Sequence, residues 1–140
     1  MADDILTARE GFDLRRLYRL FTRIVSLFFI ALAVQYWLKA IGFPDSNIRF
    51  DTMSSHWQVA VAFLAVVQPI ASLGLWGNFK WGLVVWAIVA GVELLMYSFY
   101  SEYFGANIPI LVFHLASLTT FVLYFFAIRF EAHRIRQKSG

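Results

Sequence analysis

The chain has 140 residues, 60% of them hydrophobic and only 15% charged, a balance too apolar for a soluble domain of this size. It has no cysteine, which excludes disulfides, thiolate metal sites, iron–sulfur clusters and thiol exchange. The net charge of +3 comes from basic residues that flank apolar stretches, so a basic membrane face is expected and nucleic-acid binding is not.

Residues 1–12 are mixed and polar and are expected to fray, with Thr7 and Glu10 at capping-box spacing. From Phe12 onward Arg15, Arg16, Arg19 and Arg23 share one helical face, and Leu14, Leu17, Tyr18 and Phe21 share the other. Residues 1–23 therefore read as a basic amphipathic segment whose guanidinium groups meet the phosphates of anionic lipid headgroups. A plainer reading makes it a basic anchor continuous with the first span. Arg15–Arg23 followed by an apolar run and Ala31-Leu32-Ala33 imitates a secretory signal. The run continues through Val34–Leu38, however, so the segment is expected to stay as a span.

Four transmembrane helices are expected at 24–41, 57–76, 81–100 and 108–128, each near the ~18 apolar residues that cross ~30 Å of hydrocarbon. Tyr36-Trp37 suits the outer interface, Lys39 snorkels there, and Gly42 and Pro44 stop the helix. The loop Gly42–His56 carries Asp45, Arg49, Asp51 and His56, and Ser55 with Gln58 have capping-box spacing. Pro69 in the second span frees the Ala65 carbonyl, which a neighbouring helix or Ser72 is expected to satisfy. Trp76–Trp81 forms a tight hairpin turn, and Gly105-Ala106-Asn107 joins the last two spans with Pro109 in the first helical turn. A basic tail, 129–140, completes a single membrane domain over residues 1–140.

Arg9, Arg15, Arg16, Arg19 and Arg23 precede the first span, Lys80 lies between the second and third, and Arg129, Arg134, Arg136 and Lys138 follow the fourth. Only Lys39 and Arg49 fall in the alternate segments. Short basic loops remain cytoplasmic, so both termini are expected in the cytoplasm. The fold class is all-α: a polytopic, antiparallel four-helix membrane bundle.

Gly74-Leu75-Trp76, Trp81-Gly82 and Trp86, with the basic N-terminal segment and the Tyr36-Trp37 and Ile41-Gly42-Phe43 exit from span one, resemble a family of small four-span inner-membrane proteins of unknown function, found chiefly in alphaproteobacteria. The likeness covers most of the chain. It implies a location in the bacterial inner membrane and cell envelope and supplies no reaction or cofactor. A looser likeness to DoxX-like membrane proteins rests on size and layout.

Glu93 is the one acidic side chain placed within a span. Counted at ~1.5 Å per residue from Tyr100 and from Asn107, Glu93 and His114 both lie about 10 Å below the external interface. Spans three and four are antiparallel neighbours, so a Glu93–His114 contact is expected, either neutral with a shared proton or as an ion pair. It would offset the cost of an isolated charge in hydrocarbon, about 2.5–3.5 kcal/mol on insertion scales. Such a pair serves either as interhelical glue, worth about 0.6 kcal/mol, or as a proton or ligand site. His114, Ser117, Thr120 or Phe121, and Tyr124 follow one face of span four. Gln68 and Ser72 form a stripe on span two, and Gln35 lies near the outer end of span one. These residues either line a polar cavity or make packing contacts.

Bis-histidine haem binding lacks a second histidine at the right depth, because His56 and His133 lie at opposite faces. Glu93 and His114 supply at most two metal ligands, and no phosphate loop, Ser–His–Asp set or paired carboxylates occur. No enzyme activity and no cofactor are expected. The leading expectation is a non-catalytic component that assembles with itself, or with a larger membrane complex, in the cell envelope. Phe99, Tyr100, Tyr103 and Phe104 offer a partner helix a docking point. The competing expectation is a small proton-coupled transporter or channel using Glu93 and His114. Four-span multidrug exporters are similar in size and in having one membrane glutamate, but theirs lies in the first span.

Overall fold

A computed structural model describes residues 2–43 and 49–138, so Asp45 lies outside the described residues. The described chain is helical: α1 (Ala2–Ile41), a 3-10 turn at Phe50–Thr52, α2 (Ser55–Trp76), α3 (Lys80–Ser98), the short α4 (Ser101–Phe104) and α5 (Ile108–Lys138). Four of these contain stretches long and apolar enough to cross a membrane, within Asp13–Ile41, Ser55–Trp76, Lys80–Ser98 and Ile108–Arg134. They are apolar on both faces, as a helix must be when one side meets protein and the other hydrocarbon. Phe29, Leu64 and Trp86 are buried inside, while Leu27, Val66, Ile88 and Leu115 are exposed on the outside. In α2, 50% of the apolar stretch is buried against 17% in α5, so α2 is the central helix and α5 lies at the margin.

The basic segment is part of the first spanning helix. α1 runs unbroken from Ala2, so the expected fraying is not observed, and Thr7 and Glu10 lie inside the helix instead of at its start. Gly11 is the only breaker in that stretch, and one glycine costs a helix only about 1 kcal/mol. Arg15, Arg16, Arg19 and Arg23 are exposed, and the Arg23 guanidinium lies 5.3 Å from the centre of the Trp76 ring.

The expected capping box at Ser55 is replaced by a different start. Ser54 occupies the N-cap without a side-chain cap bond to the helix backbone, and its hydroxyl lies 3.0 Å from His56 Nε2. The Gln58 amide instead donates to the Phe50 carbonyl at 2.9 Å. Gln58 is drawn away because the preceding 3-10 turn presents an acceptor one side chain's length from it.

The α2–α3 turn closes with paired bonds from Phe79 N–H to Gly74 O at 2.9 Å and from Asn78 N–H to Leu75 O at 3.0 Å. This is the Schellman pattern, and Asn78 takes the left-handed conformation it needs, with φ 54°. Gly74 and Gly82 bring α2 and α3 into backbone contact: a Cβ on either would collide with the other's main chain. Small residues permit such approach where van der Waals packing drives helix association. Gly82→Ala is expected to cost about 1–3 kcal/mol by overpacking, read as a lower unfolding midpoint in detergent micelles.

Pro69 lies within α2, and the Ala65 carbonyl it leaves without an intrahelical donor accepts the Trp37 indole N–H from α1 at 3.0 Å. The neighbouring helix, not Ser72, satisfies it. At the head of α5 the Asn107 side-chain oxygen accepts the Ile110 N–H at 3.3 Å, capping the helix at the site's edge.

Candidate functional site: a buried carboxylate, imidazole and tyrosine cluster

Three helices converge on Glu93. Tyr36 comes from α1, Glu93 and Tyr97 from successive turns of α3, and His114 from α5; Tyr36, Glu93 and His114 have no exposed surface. His114 Nε2 lies 2.7 Å from Glu93 Oε2. The Tyr36 hydroxyl donates to Glu93 Oε1 at 2.8 Å and lies 2.9 Å from the Tyr97 hydroxyl. Since the Tyr36 proton is engaged, Tyr97 donates to Tyr36. Each carboxylate oxygen thus has a partner from a different helix.

Helix register makes this possible. Tyr36 and Glu93 each lie five residues, about 7.5 Å, from the end of their helix, and His114 six residues, about 9 Å, from the start of its own. Parallel α1 and α3 and antiparallel α5 bring those depths into one layer. The Phe29 ring meets His114 edge-on at 5.8 Å, and Phe113 packs at 5.3 Å from the same imidazole. Above the layer, Lys39 Nζ sits 5.1 Å from the Tyr36 ring centre and 5.2 Å from that of Trp57. A desolvated cation gains from such aromatic faces. Trp57 leans edge-on against Phe104 of α4 at 5.1 Å, roofing that end.

Of the polar residues singled out from sequence, the structure joins Glu93 and His114 and separates the rest. Gln35 is exposed on the outside of α1, because its neighbour Tyr36 occupies the inward position one residue, about 100°, further round. Ser117 is buried, yet its hydroxyl donates to the His114 carbonyl of its own helix at 3.1 Å. Tyr124 packs against Tyr18 and Phe21 at ring distances of 5.9 and 5.7 Å, well down the bundle. Thr120 bonds to Ala116 within α5. Ser72 exchanges hydroxyl-to-carbonyl bonds with Ser26, at 2.9 Å from Ser26 and 2.8 Å from Ser72.

Gln68 is wholly buried, and neither its amide nitrogen nor its amide oxygen has a partner; the same holds for Trp86 Nε1 and His114 Nδ1. Two residues of the cluster escaped sequence reasoning. Tyr36 resembles an interfacial aromatic, and Tyr97 shows only as one turn beyond Glu93. The signal was present in α1, where Thr22, Ser26, Phe29, Ala33 and Tyr36 follow 4-3-4-3 spacing and are all buried.

Glu93 and His114 give two metal donors, and among the described residues no group of three His, Cys, Asp or Glu side chains could hold an ion. A carboxylate, an imidazole and two phenols within hydrogen-bond reach of one another can pass protons among themselves, and all four side chains are buried.

Fold and site together define a multi-pass, four-helix membrane protein with an ionisable pair buried between its helices. The chain belongs to the family of unknown function DUF6163, whose model matches residues 16–132. Searches of curated proteins and of solved structures gave no significant match.

Proposed function

We propose that this chain is a non-enzymatic protein of the bacterial inner membrane in which the Tyr36–Glu93–His114 cluster is the proton-binding site of a small proton-coupled transporter or channel. The supporting observation is the 2.7 Å Glu93–His114 contact between two fully buried side chains, combined with a His114 Nδ1 that has no partner. Interhelical glue would favour complete satisfaction, since a buried polar atom left unpaired costs free energy. Intramembrane ionisable residues that face a bundle interior mark proton and ion pathways.

The basic termini and the Lys80 turn favour a cytoplasmic position for both ends under the positive-inside rule. The exposed Arg15, Arg16, Arg19 and Arg23 lie where anionic headgroups gather. A reporter fused after Gly140 is expected on the cytoplasmic side.

The functional test is proton flux into dye-loaded vesicles of phosphatidylethanolamine and phosphatidylglycerol after an acid jump. Glu93→Gln keeps the shape and the Tyr36 bond and is expected to lower the flux to that of empty vesicles. Equal flux in wild type and Glu93→Gln overturns the proposal.

A second reading, an assembly component of the envelope, is favoured by one feature. α5 buries little of its apolar surface, and Phe99, Tyr100 and Tyr103 project outward beside it. Under that reading the partner is a second copy or a larger membrane complex, and cross-linked oligomers persist in Glu93→Gln.

A further inference from the structure

A row of buried polar groups runs from the Glu93 layer to the opposite end of the bundle. On α1, Thr22, Ser26 and Tyr36 are all at most 2% exposed and span 14 residues, about 21 Å of the ~30 Å hydrocarbon thickness. Thr22 Oγ1 donates to Asn78 Oδ1 in the α2–α3 turn at 3.0 Å, and Ser26 pairs with Ser72. Between these pairs and Glu93 lies Gln68. Its level is bracketed by two contacts of α2 with α1: Ala65 with Trp37 above and Ser72 with Ser26 below. Phe29 fills the corresponding interval of α1, fully buried, with its ring on His114.

The Gln68 carboxamide is the observation that does not fit a purely structural row. An amide held without partners in an apolar interior costs about 1–3 kcal/mol on protein mutational scales, and a leucine there would avoid that cost. By contrast, the Ser26 and Ser72 hydroxyls are each bonded to the other's carbonyl, and the Thr22 hydroxyl has acceptors in Asn78 Oδ1 and the Arg19 carbonyl.

We infer that the cluster exchanges protons with the α2–α3 turn end of the bundle along this row, with Gln68 positioning the water that carries the proton and Phe29 as the barrier. The inference rests on the proton-site reading above and adds the direction and the route. In the resting arrangement His114 Nε2–H donates to the Glu93 carboxylate. A hydrated proton arriving past Gln68 binds at His114 Nδ1, and the Nε2 proton moves to Glu93 Oε2. The step leaves water, a neutral imidazole protonated at Nδ1 and a neutral carboxylic acid, so charge and protons balance. Among the described residues, the other ionisable groups beside the pair are Tyr36 on α1, Tyr97 on α3 and, behind the Tyr36 ring, Lys39; at the next level down α2 carries Gln68, which does not ionise.

The test uses the same vesicle flux, with the infrared carboxyl band of Glu93 as a second readout. Gln68→Met, similar in length and without polar atoms, is expected to slow flux by about tenfold or more, a modest share of what positioned proton-transfer groups contribute. The carboxyl band should remain. Gln68→Glu restores a polar group and is expected to recover flux, and Phe29→Ala to raise it. Melting in micelles reports whether each variant is folded, and Gln68→Met is expected to melt no lower than wild type. Wild-type flux in folded Gln68→Met, with Glu93→Gln silent, overturns the route and leaves the site standing. Unchanged flux in Glu93→Gln removes the site and the route together.

Discussion

Replacing His114 by alanine is expected to destabilise the bundle far more than replacing Glu93 and His114 together by leucine. His114→Ala leaves Glu93 Oε2 buried without a donor, while Tyr36 still holds Oε1. Leaving a buried charge without its partner costs about 3–5 kcal/mol, whereas replacing both groups by apolar ones of similar volume is often neutral. Ordinary interhelical hydrogen bonds in membranes are worth about 0.6 kcal/mol and rarely reach 2. The two regimes are therefore separable by a double-mutant cycle on unfolding in mixed micelles. We expect an interaction energy above about 2 kcal/mol, with the double variant melting near wild type and inactive in the flux assay. A value near 0.6 kcal/mol would identify an ordinary interhelical hydrogen bond and weaken the proton-site proposal, because no buried carboxylate charge would be held there.

The Glu93–His114 contact was legible in sequence because depth is countable. Two polar residues equally far from a shared turn on antiparallel helices must fall in one layer. Tyr36 was harder to read, since a tyrosine at the end of a span matches the interfacial preference of its type. What decides is rotation. Tyr36 lies on the stripe of Thr22, Ser26, Phe29 and Ala33, which meets α2 at Ser26, α5 at Phe29 and α3 at Tyr36, and Gln35 lies about 100° away. Periodicity computed on hydrophobicity could not show that stripe, because membrane helices are apolar on both sides and the inner face differs by small and hydroxylated residues. The partnerless state of Gln68 was beyond sequence, since it depends on what three other helices bring to its level. Helix ends were legible where a breaker exists, at Gly42 and in the Gly77-Asn78 turn. The join of the amphipathic segment to span one carries no breaker, and a single helix resulted.

The Trp37 indole is expected to stabilise α2 only because Pro69 is present. Proline withholds the N–H that the Ala65 carbonyl would otherwise accept, and a carbonyl facing hydrocarbon has no water to turn to. Trp37 supplies the donor from α1 at 3.0 Å, although 54% of its surface is exposed. Its ring meets lipid while its N–H serves the protein. Trp37→Phe keeps most of the apolar surface and removes the donor, and should cost about 1–3 kcal/mol, the desolvation penalty of one unsatisfied group. Pro69→Ala restores the intrahelical donor, so adding it to Trp37→Phe should return most of that loss. The coupling has a definite sign: Trp37→Phe is costly in the Pro69 background and nearly silent in the Pro69→Ala background, as read from melting in micelles. Equal cost in both backgrounds would mean that Trp37 contributes by packing alone. The same pair bears on the site, because Trp37 is adjacent in sequence to Tyr36. The bond that repairs the proline defect in α2 also ties α1 to α2 one residue from Tyr36, whose hydroxyl meets Glu93. Trp37→Phe is therefore expected to disturb the carboxyl band of Glu93 as well as the melting point, and Trp37→Phe with Pro69→Ala to recover the melting point while leaving the band shifted.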